Sequence, residues 1–466
     1  MRLARFATLI VATPLAAVTA QPSRPSDIER AFLASAQQIR WPGFEPERIP
    51  LAVYDGQFTA LFRHPAPPAE FVRSDSASRG AVMAGRHPAV TANSSAQIGG
   101  RGTATLMTDL RETGRRNTRA SSPPAASLAA IALHEAFHVF QRERHVGWVG
   151  NEGDLFTYPV DDARRLALRR LETDALHRAQ EAGSATRAVC WARAFLQLRT
   201  ARYDGLDSAF TRYERLTELN EGLANYIQTL ANGQRRVPFP AHEFSPSAVR
   251  LRTYTTGTAI ALLLDRVSPG WQALLESQDQ YTLDQLLTEA LVHTPASANT
   301  CAHSRREHTV ALRVAQHDSV AIAASRRARR RTFDARSGLR LVVEANDAAP
   351  LWPQGFDPLN VERVNGGLLH TRFLSLGNDA GTIELIDEEA ANVEAVTAAA
   401  GAHPLFTGVR HLSAAGFRSP EVRARGDSVT IVAKGLKLTL RGATLRRSRD
   451  SLIVTLSKSK TGSAEY

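Results

Sequence analysis

The sequence predicts an α+β protein in three successive parts: an N-terminal mixed β region, a mainly helical middle and a β-rich C-terminal domain. Three observations predict it. Apolar residues recur at helical spacing through most of 125–330. Beyond Arg331 the chain turns to short β-prone runs such as "GLRLVVEA", "TIELID" and "DSLIVTL", with Gly or Asp between them. Ahead of the first long helix, "RIPLAVYDGQFTALF" places two apolar runs around Asp55-Gly56, a hairpin signal. A chain of 466 residues, 43% hydrophobic and 22% charged, has room for two or three domains with a sizeable core.

The elements follow in order. Arg2 and Arg5, an apolar stretch from Phe6 to Val18 and small residues at 18–20 read as a secretory signal over 1–20, so the mature chain is expected to be exported, periplasmic or extracellular. The N-terminal part, 21–120, holds a short amphipathic helix from Ser26 to Ile39, the hairpin, loops over the Pro- and Ser-rich 63–95, and a strand over 99–110. Pro123-Pro124 are placed to open a helix from Ala125 to about His145, which Gly147 and Gly150 stop. Helices over 161–182, around Cys190 to Leu198, and over 211–233, 247–267 and 304–330 complete the middle, 121–331. Residues 332–466 form the β-rich C-terminal domain. No internal repeat is present.

Net charge is +11. The excess is spread as arginine, with the dense run Arg326–Arg331 reading as a solvated helix end, so no nucleic acid is expected as partner. Nothing after the signal reaches the roughly 20 apolar residues of a membrane span. Cys190 and Cys301 are too few for a Cys-rich metal ribbon; a disulfide or two separate buried thiols both suit them.

"LHEAFH" carries the chemistry. His134 and His138 are four apart, so both imidazoles project from one helical face and can grip one metal, Zn2+ by preference. Glu135 is placed to take the proton of a water on that metal. Chance yields roughly 0.02 such motifs in a chain like this. A catalytic zinc takes three protein ligands and keeps one position open. His145 stands seven after His138, with Gln141 where the HExxHxxGxxH class has glycine, so that class is excluded. The acids on offer are Glu221 of "LNEGLA", which a periodic helix holds rigidly and which is preferred, Glu152 of "GNEGD", and Glu218.

HExxH on one helix, "LNEGLA" on a second and "YTTG" on a third together resemble the gluzincin metallopeptidases, and within them the thermolysin-like catalytic domain of zinc aminopeptidases. The resemblance covers about 125–265. It implies His134, His138 and Glu221 as zinc ligands, Glu135 as general base and Tyr254 as the tyrosine that stabilises the transition state. The chain departs from the family's pattern in three places. There are 82 residues between His138 and Glu221, implying an inserted helical pair over about 150–210. Glu218-Leu219 stand where the family has tryptophan before its Asn-Glu pair, and "GRGTATLM" lacks the acid of the exopeptidase strand. Thr103, Ala104 and Thr105 are expected on an edge strand to which an extended peptide adds, and Asn225 beside a ligand histidine, orienting its ring. The expected partner is thus a peptide or protein substrate. A zinc hydrolase acting on an ester or cell-wall amide, and an inactive gluzincin-like binding protein, are the competing readings.

Overall fold

The structure is a computed structural model that describes residues 23–73, 80–108, 123–241, 243–278, 280–292, 300–356, 360–386, 390–392 and 404–456. The signal-like segment over 1–20 lies outside them. The fold is α+β, with a helical middle and a strand-rich C-terminal region. By its internal contacts the chain forms two compact units, Met1–Arg144 with Ile227–Gln234, and His145–Tyr226 with Arg235–Tyr466.

In the first unit, α1 (Pro25–Ala36) precedes six strands: β1 (Leu51–Tyr54), β2 (Phe58–Phe62), β3 (Val72–Arg73), β4 (Ala81–Ala84), β5 (Ser94–Ile98) and β6 (Arg101–Met107). The helix α2 (Ala125–Arg144) follows. The β1–β2 hairpin forms where the Asp-Gly pair predicts it. Asp55 Oδ1 accepts from the backbone N–H groups of Gln57 and Phe58, and Gly56 takes φ +101°, a region that glycine enters without strain. Strand order is β3-β4-β2-β1-β6-β5, with β1 and β6 parallel and the other neighbours antiparallel. The helix α2 packs against the β5–β6 end. A Cβ at Gly102 would meet Val139 Cγ1 at 2.7 Å, so glycine there permits the close crossing. Trp41 and Phe44 close the opposite side of α2, each edge-on to the Phe137 ring at 5.0 and 5.1 Å.

This order corrects the expected substrate strand. Thr103, Ala104 and Thr105 lie on β6, which is internal. Ala104 sits opposite Leu51 of β1 on one side and Ser95 of β5 on the other, and all three residues are buried. The backbone donors and acceptors of β6 are spent on its two neighbours, so no peptide can add there. The edge on that side is β5. Two short strands, β3 and β4, also occupy the span expected to be loops, because proline and serine punctuation hid runs of only two and four residues.

The second unit opens with Asn151, which caps a short 3₁₀ turn over Glu152–Phe156 by accepting from the N–H of Gly153. Then come α3 (Ala163–Glu181), α4 (Ala185–Tyr203), α5 (Ser208–Thr217), a π-helical turn over Glu218–Gly222, α6 (Leu223–Ala231), α7 (Val249–Val267), α8 (Trp271–Ser277), α9 (Leu283–Val292) and α10 (Arg305–Asp334). The helix α6 carries the chain from this unit into the first at Tyr226–Ile227. Cys190 of α4 and Cys301, just before α10, form a disulfide.

The centre of this helical group is charged. Glu172 of α3 is fully buried and accepts from Arg199 (3.0 Å) and Arg202 (2.5 Å) of α4 and from Arg252 of α7 (2.9 Å). Arg199 also grips Glu218 through both Nη atoms, at 2.8 and 2.6 Å, while Arg202 does the same to Glu214, at 2.6 and 2.8 Å. Tyr158 and Tyr203 add their hydroxyls to Glu214. Buried charges persist only when paired and hydrogen-bonded, and here every carboxylate meets at least one guanidinium.

Beyond α10 two sheets share one core. In the seven-stranded sheet Leu339–Glu344 lies between His411–Phe417, antiparallel, and Ser451–Leu456, parallel; the six-stranded sheet is antiparallel throughout. Alternate residues such as Leu341 and Val343 in one sheet and Ile383, Leu385 and Leu438 in the other point into that core. The arginine run does more than end a helix in solvent. Arg326 pairs with Asp161 at 2.5 Å and Arg329 with Glu362 at 3.0 Å, while Phe333 packs with Val364, Leu369 and Ala415. Arg326 thereby ties α10 to the segment before α3, and Arg329 helps to dock it onto the C-terminal strands.

Candidate metal centre

The helix α2 brings His134, Glu135 and His138 together, with donor atoms within 4.8 Å of one another. The ring nitrogens His134 Nε2 and His138 Nε2 stand 3.1 Å apart, with the rings at 78°. Two imidazole nitrogens held tetrahedrally at the usual zinc distance lie roughly 3.3 Å apart. His138 Nδ1 is 2.8 Å from Gln141 Oε1, a contact that an Nδ1–H donor satisfies and that turns the Nε2 lone pair toward His134. His134 and Glu135 are buried, with the fully buried Leu133 and Phe137 on either side. The donor set therefore fits zinc: two imidazole nitrogens converging on one point, with a carboxylate beside them.

Among the described residues a second donor group, Asp174, His303 and Glu307, has the same compactness. It already holds its cation. Arg178 reaches Asp174 at 2.6 Å and Glu307 at 2.6 Å, while His303 Nε2 lies 2.7 Å from Asp174. The three side chains of this group are thus engaged with one another and with Arg178.

The other residues singled out in the sequence lie in the second unit. Glu221 sits in the π turn and Tyr254 on α7. Both meet Arg250: its Nη2 donates to Glu221 Oε1 at 2.7 Å and its Nη1 to the Tyr254 hydroxyl at 3.0 Å. Its Nε donates to Glu152 Oε1 at 3.0 Å, and Glu152 Oε2 accepts from the Tyr213 hydroxyl at 3.2 Å. Burial and the adjacent Glu221 carboxylate push the Tyr254 phenol well above its usual value, so it remains a donor at neutral pH. The Asn225 amide donates to Thr258 Oγ1 at 2.8 Å. Of the competing acids, Glu218 is committed to the buried charge network, held by Arg199 and by Thr256 Oγ1 at 2.5 Å. Glu152 belongs to the Arg250 cluster.

The π turn and two glycines explain how Glu221 comes to face α7. The wider turn re-aims the helix, so that Glu218 enters the charge network while Glu221, three residues on, meets Arg250. Gly222 and Gly257 then touch backbone to backbone; a Cβ on Gly222 would lie 2.7 Å from Gly257 Cα, and one on Gly257 would lie 2.8 Å from Glu218 O. These are the glycines of "NEG" and "YTTG", so the two stretches record a helix crossing. Gly257→Ala is expected to destabilise the fold by about 1–3 kcal/mol through overpacking against atoms that cannot swing aside. Denaturant unfolding would read this, and an unchanged midpoint would contradict the close crossing.

Sequence reasoning missed Arg250. Its signal was the spacing from Tyr254, four residues along one helix, which puts guanidinium and phenol on one face. The chain matches no protein-family model, no curated protein and no solved structure.

Proposed function

We propose that this protein is a zinc-dependent metallopeptidase of gluzincin type. The observation that carries the reading is the convergence of His134 Nε2 and His138 Nε2 at 3.1 Å beside the Glu135 carboxylate. Bound zinc would supply Lewis acidity, acidifying a water toward neutral pH and polarising a carbonyl. His134 and His138 hold the ion, with Gln141 fixing the tautomer of His138. The third ligand is assigned to Glu221 on the motif resemblance. Glu135 takes the proton of the attacking water and delivers it to the leaving amine. The Tyr254 hydroxyl donates to the oxygen on which negative charge develops. An extended peptide would pair at the β5 edge, exchanging the bond that Arg142 Nη1 makes to the Ser95 carbonyl at 2.7 Å for one of its own.

A disulfide between Cys190 and Cys301 suits an oxidising compartment and agrees with export. No helix among the described residues is long and apolar enough to cross a membrane.

The test is zinc content by elemental analysis. About one zinc per chain is expected in the parent, falling to near zero in His134→Ala and clearly lowered in Glu221→Ala. A parent that takes up no zinc on reconstitution overturns the reading, and full zinc in Glu221→Ala removes that residue from the ligand set.

A further inference from the structure

The Asn-Glu-Gly triplet that follows the HExxH helix lies in the chain's long insertion, so the family pattern gives Glu152 no role. The geometry points to one: we propose that Glu152 and Arg250 form a positioning relay that holds Glu221 and Tyr254 in register for metal binding and catalysis. The inference rests on the metallopeptidase reading above.

Four contacts carry it. Glu152 is fixed from behind by the Tyr213 hydroxyl on Oε2 and presents Oε1 to Arg250 Nε. The guanidinium then spends its two remaining corners on different targets, Nη2 on Glu221 Oε1 and Nη1 on the Tyr254 hydroxyl. A planar fork anchored at Nε cannot rotate without breaking one of these bonds, so the position of Glu152 sets the orientation of both partners. Lysine, whose three donors share one nitrogen, cannot reach three acceptors spread around a guanidinium fork.

The backbone under Glu152 is built for this contact. Asn151 caps the 3₁₀ turn by accepting from Gly153 N–H. Gly150 lies so close to α5 that a Cβ there would meet Thr217 Oγ1 at 2.8 Å and the Tyr213 ring at 3.0 Å. The loop is thereby seated against the helix that bears Tyr213 and leads into the π turn. Partners of metal-ligating carboxylates fix their rotamers, and losing such a partner typically weakens metal binding 10–100-fold.

The experiment measures zinc affinity on the full chain by competition with a chromophoric chelator, for the parent, Arg250→Met, Arg250→Lys, Glu152→Gln and the Glu152→Gln/Arg250→Met double variant. Thermal melts on the same samples confirm folding. Arg250→Met is expected to weaken zinc by roughly 10–100-fold and Arg250→Lys to recover little of it. Glu152→Gln should weaken zinc by a smaller factor, and the double variant should be no worse than Arg250→Met alone, since Glu152 acts through the arginine. Unchanged zinc affinity in Arg250→Met, with the parent binding one zinc, overturns the relay and leaves the metallopeptidase reading standing. Independent, multiplying losses in the double variant overturn the order of the relay. A parent that binds no zinc overturns both.

Discussion

Glu135→Gln is expected to lower the turnover of an unstructured protein such as casein by roughly 100–10,000-fold, the range that a positioned general base contributes. Glutamine keeps the shape of glutamate and a hydrogen-bonding oxygen but cannot take a proton from water. The same variant should retain about one zinc per chain, because His134 and His138 supply their nitrogens without it. The pairing of results carries the information. Lost hydrolysis with retained zinc separates a catalytic base from a ligand, and it also sets a peptidase apart from an inactive binding protein. Full casein hydrolysis in Glu135→Gln would remove Glu135 from the mechanism. Zinc binding with no casein hydrolysis in the parent would favour a hydrolase for another substrate.

Glu172→Gln is expected to cost about 3–5 kcal/mol of stability in the helical part of the second unit, the usual result of breaking a buried ion pair from one side. Glu172 is the shared counter-charge of Arg199, Arg202 and Arg252, and all four side chains are almost wholly buried. Neutralising it leaves three guanidinium groups with two carboxylates, Glu214 and Glu218, in a place water does not reach. Acid should produce the same failure. Paired arginines hold Glu172 well below the usual carboxylate range despite its burial, and bring Glu214 down to about 2 from 4.5. A depressed carboxyl contributes stability that is fully present above its unfolded value and is lost as pH falls through the folded one. The network's contribution is therefore complete above about pH 4.5 and declines from there toward pH 2, with Glu214 alone representing on the order of 3 kcal/mol. Urea unfolding followed by circular dichroism at pH 7 and pH 3.5 would show it. A parent equally stable at both, or a Glu172→Gln variant as stable as the parent, would contradict the account.

Local spacing was enough to identify the His134, Glu135 and His138 donor group of α2. Four residues separate the two histidines on any helix, so their convergence and the neighbouring Glu135 follow from the helical pattern alone. The α+β class was legible for the same reason: helical and β-strand periodicity are local, and so is the Asp-Gly turn between β1 and β2. Strand order is not local. "GTATLM" reads as a strand in the sequence, but only the pairing of β6 with β1 and β5 shows that it is internal, because those partners lie about 50 residues upstream and immediately before it. Charge partners are equally remote. Alternating runs such as "DSLIVTL" announce strands, whereas nothing near Glu172 announces Arg252, 80 residues on. Composition showed an excess of arginine and suggested solvated ends; the fold placed Arg199, Arg202 and Arg252 in the interior, where each meets carboxylates from other helices.

The sequence by itself determined the fold class, the motif helix and the residue types able to hold a metal, because these depend on periodicity within one element. Only the tertiary structure decided that Cys190 and Cys301 pair, that Gly222 and Gly257 mark a backbone crossing, and that Arg250 gathers Glu152, Glu221 and Tyr254. Each of these joins residues from different elements, and such contacts are set by which faces pack together, a global property that no local pattern encodes.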